Sequence, residues 1–114
     1  MIIYHITSER EWQAAQLTGQ YLPQGYAQDG FIHTSFKEQV LKTASRFYGG
    51  QSDLVLLKIE SEATAAEVKV ENLDGGAELF PHIYGPLPVT AVLAAATFEA
   101  DASGQFAFPA QLSD

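Results

Sequence analysis

Asp53-Leu54-Val55-Leu56-Leu57-Lys58-Ile59-Glu60 is a nearly continuous apolar run between acidic residues, and it suggests a central strand. On its C-terminal side the texture stays β. Val68-Lys69-Val70-Glu71 alternates as a half-exposed strand does, Asp74-Gly75-Gly76 is a turn, and Leu79-Phe80-Pro81-His82-Ile83-Tyr84 leads to a Gly85-Pro86-Leu87-Pro88 corner. A long strand is expected from Val89 to about Glu99. A hairpin back through Phe106-Ala107-Phe108 should follow, across Ala102-Ser103-Gly104.

On the N-terminal side, Ile2-Ile3-Tyr4-His5-Ile6-Thr7 reads as a strand that runs into Ser8-Glu9-Arg10-Glu11, a capping box. The helix that begins there should bury Trp12, Ala15 and Gln16 and stop before Gly19. Past a loop marked by Pro23, Gly25, Asp29 and Gly30 the grammar repeats. Phe31-Ile32-His33-Thr34 is a strand, Ser35-Phe36-Lys37-Glu38 a second capping box, and a second helix should bury Val40, Leu41, Ala44 and Phe47 before Gly49-Gly50. Two N-terminal helices followed by runs of strands predict an α+β fold with a mainly antiparallel sheet. With no linker, repeat or low-complexity tract, residues 1–114 read as a single domain.

Composition excludes several classes of function. The 114 residues are 46% hydrophobic and 18% charged, as in a globular protein. No cysteine is present, which removes disulfides, thiolate nucleophiles and cysteinyl metal clusters. Met1-Ile2-Ile3-Tyr4-His5 has no basic flank of the kind an export signal carries, and no apolar run reaches membrane-spanning length. The expected location is therefore cytoplasmic, away from membranes. A net charge of -8 disfavours nucleic acid as a partner, since phosphate backbones are held by clustered Lys and Arg. The acids are unevenly spread, however. Residues 1–48 balance Glu9, Glu11, Asp29 and Glu38 against Arg10, Lys37, Lys42 and Arg46, so a small doubly charged ligand would be tolerated there.

The three histidines each sit in an apolar or aromatic stretch. Strand periodicity places His5 with Thr7, His33 with Phe31 and Ser35, and His82 with Tyr84. His5 and His33 also precede helix N-termini, whose free N–H groups favour an anion such as a phosphate. The competing reading is of core histidines bonded to backbone carbonyls. Three imidazoles could form a catalytic zinc site, but no pair has the usual i, i+2 or i, i+4 spacing, and no metal is expected. Ser8 and Ser35 are explained as N-caps, and no nucleophile elbow, Rossmann or Walker motif occurs. Glu78, after the Gly-Gly turn and near His82, is the carboxylate of interest, with Glu71 a weaker candidate on the polar face of its strand. Trp12, Phe47 and Phe98 read as core, and Tyr21, Tyr26 and Tyr84 as cleft lining.

Tyr-His-Ile-Thr (4–7), Gly-Phe-Ile-His-Thr-Ser (30–35) and Glu-Leu-Phe-Pro-His-Ile-Tyr-Gly-Pro-Leu (78–87), in this order, resemble the bacterial family called domain of unknown function 952. That family's fold is similar to that of ADP-ribosyltransferases, and the pattern is also like RNA 2′-phosphotransferases. The resemblance implies that His5 and Thr7 hold a ribose of NAD and that His33, with Ser35 close by, packs by the nicotinamide side. A later Glu assists glycosidic cleavage in those enzymes. Glu78 is the candidate for it by proximity, with His82 and Tyr84 beside it.

The phosphate-binding arginines of the RNA 2′-phosphotransferases have no clear counterpart. The implied catalytic residues are thus His33, Glu78 and His82, and the implied binding residues His5, Thr7, Ser35 and Tyr84. The ligand is NAD, as substrate, or a related nucleotide, and the acceptor is unspecified. Two other readings stay open, a noncatalytic nucleotide- or metabolite-binding module and a histidine-based metal-dependent hydrolase.

Overall fold

A computed structural model describes residues 1–73 and 75–112; Asp74, the first residue of the expected Asp74-Gly75-Gly76 turn, lies outside them. The apolar run forms β4 (Leu54–Glu60), the middle strand of a three-stranded antiparallel sheet between β1 (Ile2–Ser8) and β8 (Val92–Phe98). Because neighbouring residues of a strand face opposite ways, β4 contributes to two cores at once. Val55, Leu57 and Ile59 join Ile3, Trp12 and Ile83 on one side. Leu54 and Leu56 join Tyr4, Val40, Phe98, Phe106 and Leu112 on the other. Covering on both faces explains why an antiparallel strand lacks the usual polar alternation.

A second three-stranded antiparallel sheet has the order β3 (Ile32–His33), β6 (Phe80–Tyr84), β5 (Glu67–Glu71), and a short pair joins β2 (Gln20–Tyr21) to β7 (Leu87–Pro88). The two larger sheets meet where Tyr4 and Ser35 exchange both backbone hydrogen bonds, each 2.8 Å. In the second sheet Ile32 and Ile83 enter the core. Residues of the opposite phase, among them His33 and His82, therefore face away from it.

The fold is α+β and mainly antiparallel, but the N-terminal half holds three helices where two were expected: α1 (Glu9–Thr18), a single turn α2 (Tyr26–Asp29) and α3 (Val40–Phe47). Ser8 caps α1 through Glu11 N at 3.1 Å, and Gly19, at φ 87°, ends it in the left-handed conformation. Trp12 and Ala15 are buried as expected, whereas Gln16 is exposed.

The second capping box is displaced. Ser35 is committed to the bridge with Tyr4, so Phe36 takes the cap position and its N–H is accepted by the Gln39 side chain at 2.9 Å. A 3-10 turn, Lys37–Gln39, then leads into α3. Val40 and Ala44 are buried, but Leu41 lies about 100° around the helix and Phe47 extends beyond the core, so both are exposed.

The C-terminal strand is also shorter than expected. Val89–Ala91 is a 3-10 turn, and the hairpin reduces to one bridge between Ala100 and Phe106. Asp101 organises that turn by accepting from the backbone N–H of Ser103 and Gln105, which satisfies the backbone without a ladder.

At the Gly85 corner a Cβ would lie 2.8 Å from Cβ of Ala66. Gly85→Ala should therefore lower stability by about 1–3 kcal/mol, as overpacking does. In a double-mutant cycle with Ala66→Gly the two losses should sum to more than the loss of the double variant, and strictly additive losses in a denaturant titration would refute the contact.

Candidate functional site

A cleft of about 520 Å³ opens at the junction of the two sheets. The outward face of the second sheet forms one wall through Phe31, His33, His82 and Glu71. Helix α3 forms the opposite wall through Lys42, Thr43, Arg46 and Phe47, and Tyr4, His5 and Ser35 lie at the junction between them.

All three histidines reach this cleft, in different states. His33 and His82 are cross-strand partners with ring centroids 5.5 Å apart. The His33 side chain is 64% exposed and its Nε2 lies 3.1 Å from Asp29 Oδ2. His82 is only 5% exposed, stacked on Phe31 at 4.1 Å. Its Nδ1 is 2.9 Å from Glu71 Oε2, and the Tyr84 hydroxyl donates to the same carboxylate oxygen. The Tyr84 bond, then the His82 bond, hold the Glu71 carboxyl below its ordinary range, so it is ionised at neutral pH. The same hydrogen bond pushes the Tyr84 phenol up to about 12, keeping it a donor.

His5 is different, since both ring nitrogens are engaged inside the protein. Nδ1 lies 2.5 Å from the His33 carbonyl oxygen and Nε2 lies 2.7 Å from the Tyr21 hydroxyl, itself 2.9 Å from Thr7 Oγ1. A carbonyl only accepts, so Nδ1 carries the proton. In a neutral ring Nε2 is then an acceptor facing the Tyr21 hydroxyl, whose O–H also donates to Thr7 Oγ1, so one phenolic proton lies between the two acceptors. Burial, the largest cause, pulls the His5 ring from 6.5 down to about 4 despite the His33 bond. For His5 the core-histidine reading describes the contacts, and neither it nor Thr7 presents a free ring nitrogen or hydroxyl to a ligand.

The other expected residues divide. Ser35 lines the cleft and its Oγ lies 3.3 Å from Thr43 Oγ1. Glu78 lines the rim, with Oε2 2.6 Å from Lys42 Nζ. Tyr84 stands behind Glu71 and is not part of the lining, nor are Tyr21 and Tyr26; Tyr4 and Tyr48 are the cleft tyrosines. Among the described residues no group of three His, Asp or Glu is placed to hold a metal ion, so the hydrolase reading lacks its ligand geometry. No helix there is long and apolar enough to cross a membrane.

Sequence reasoning undervalued Glu71 and missed Lys42, Thr43 and Arg46 as cleft residues. The signal for Glu71 was available, because Glu71 of β5 and His82 of β6 share one face of the sheet at diagonal positions. Lys42 and Arg46 stand four apart on α3, but nothing local said that this stripe would face the histidines.

The family described as "Protein of unknown function (DUF952)" matches residues 6–95. The chain belongs to the DUF952 family. The X-ray structure of Protein CC0527 from Caulobacter crescentus is 40% identical to this DUF952 chain, covers 94% of each, and has a TM-score of 0.84. The solution NMR structure of CC0527 is 42% identical over 91% of this chain and 90% of that one, with a TM-score of 0.79. No curated protein matches.

The His5 environment makes stability pH-dependent. The unfolded ring gains its proton as pH falls through 6.5, the folded ring only near 4, so stability is full above 6.5 and is lost as pH drops towards 4. That window corresponds to about 3 kcal/mol. Denaturant titrations across it should show this slope in the wild type and a shallower one in His5→Gln; equal slopes would refute the assignment.

Proposed function

We propose that this cleft binds NAD or a related nucleotide and that the protein is an ADP-ribosyltransferase-like transferase. The observation that carries the reading is the meeting, in one cleft, of His33 and His82 on one wall with Lys42 and Arg46 on the other. A dinucleotide offers flat rings, ribose hydroxyls and phosphates. The exposed Phe47 ring matches a base by stacking, the imidazoles and the Ser35 and Thr43 hydroxyls match the ribose, and the positive charge of the α3 wall matches the phosphates. The cleft volume of about 520 Å³ suits a bound small molecule.

Cleavage of the nicotinamide–ribose bond generates an oxocarbenium-like ribose, which requires orientation and a nearby negative charge. The ionised Glu71, bonded to His82 and Tyr84, lends negative charge to the His82 wall, whereas the Glu78 carboxylate is paired with Lys42 at the opposite wall. His5, Thr7 and Tyr21 act one layer back, fixing the His33 backbone on which the exposed imidazole is carried.

The Lys42–Glu78 pair also favours a second reading, a noncatalytic nucleotide-binding module, because it neutralises the carboxylate that the family resemblance would make catalytic.

Isothermal titration with NAD, ADP-ribose and nicotinamide separates these readings. Binding of NAD is expected, weakened about tenfold by Arg46→Ala if the guanidinium contacts a phosphate. Absence of heat for all three at millimolar ligand would remove the nucleotide reading. Binding without nicotinamide release would favour the noncatalytic module.

A further inference from the structure

We infer that Glu71 and His82 form an acid–base pair, in which Glu71 is a positioning residue and Nε2 of His82 takes the proton of an acceptor bearing an O–H group, an alcohol or water. The geometry that assigns the roles is local. A carboxylate held ionised accepts only, so the 2.9 Å contact places a proton on Nδ1 of His82, and in the neutral ring Nε2 is then the lone pair. Among the described residues Nε2 has no hydrogen-bond partner, and every fully buried side-chain nitrogen or oxygen there is paired. Nε2 therefore reaches the cleft surface that His82 helps to line.

The ring is contacted from three sides. Phe31 stacks on it at 4.1 Å, His33 meets it edge-on, and Glu71 is itself held by the Tyr84 hydroxyl. A base oriented by a carboxylate that is in turn fixed by a third group is the arrangement that general-base catalysis requires.

The nucleotide reading supplies only the donor. In the step, the acceptor O–H proton passes to His82 Nε2 as the new ribose C1–O bond forms. The C1–N bond to nicotinamide breaks, and its electron pair neutralises the pyridinium nitrogen. The imidazolium so formed lies against the Glu71 carboxylate and returns its proton to solvent. No oxidant or further co-reactant is needed.

The tautomer can be read without any ligand. Long-range ¹⁵N–¹H correlation spectra of the ligand-free protein at neutral pH should show His82 protonated at Nδ1 and bare at Nε2. In Glu71→Gln that preference should weaken, with the other backbone resonances unmoved. His82 bare at Nδ1 in the wild type, or an unchanged tautomer in Glu71→Gln, would overturn the pair.

With NAD, Glu71→Gln and His82→Gln should each lower kcat for nicotinamide release by about 10²–10⁴-fold and leave KM nearly unchanged. The double variant should be little slower than either single one. Wild-type kcat in Glu71→Gln would overturn the pair even if NAD is turned over. The predicted tautomer with no NAD binding would instead refute the nucleotide reading and leave the pair standing.

Discussion

Two backbone hydrogen bonds between Tyr4 and Ser35 hold the edge of one sheet against the other, and the cleft exists at that join. Beside it the His5 ring reaches the His33 carbonyl, so a buried imidazole braces the backbone that carries an exposed one. Each polar group this junction draws into the interior finds a partner: Thr34 Oγ1 donates to Pro81 O, and Gln39 Nε2 donates to Leu79 O. An unpaired buried group here would cost about 1–3 kcal/mol. The polar stretch from His33 to Gln39 is thus a scaffold as much as a lining.

The second sheet separates its duties by phase. Ile32 and Ile83 pack into the core, while the alternate residues form a polar, aromatic wall. On that wall charge runs from Lys69, whose Nζ sits over the Tyr84 ring, through Glu71 to His82. Cation, carboxylate and imidazole are neighbours because period-two alternation in adjacent antiparallel strands leaves them no other place.

Much of this was legible in the chain. The run 54–59, the Ser8 cap and the Gly19 stop are local signals, and they name β4 and α1 nearly residue for residue. The three histidine motifs were expected to share one cleft because each ends or fills a strand, and all three imidazoles do line it. What escaped were outcomes decided across the fold. Ser35 has the chemistry of an N-cap, yet its pairing with Tyr4 moves the cap to Phe36. Phe47 has the spacing of a core residue, yet α3 outruns the core and leaves it 60% exposed at the cleft. His5 looked like a ligand-holding group, and only the meeting of its nitrogens with Tyr21 and the His33 carbonyl shows it to be an internal brace.

The two-sided placement of β4 has a further consequence. Leu56 and Leu57 are adjacent in the chain but belong to different cores, so loosening either core strips the same strand of half its cover. β1 is divided in the same way, with Ile3 in one core and Tyr4 and Ile6 in the other, so the two cores share two neighbouring strands. Damage to one core is thereby passed to the other through a shared strand, which couples their stabilities.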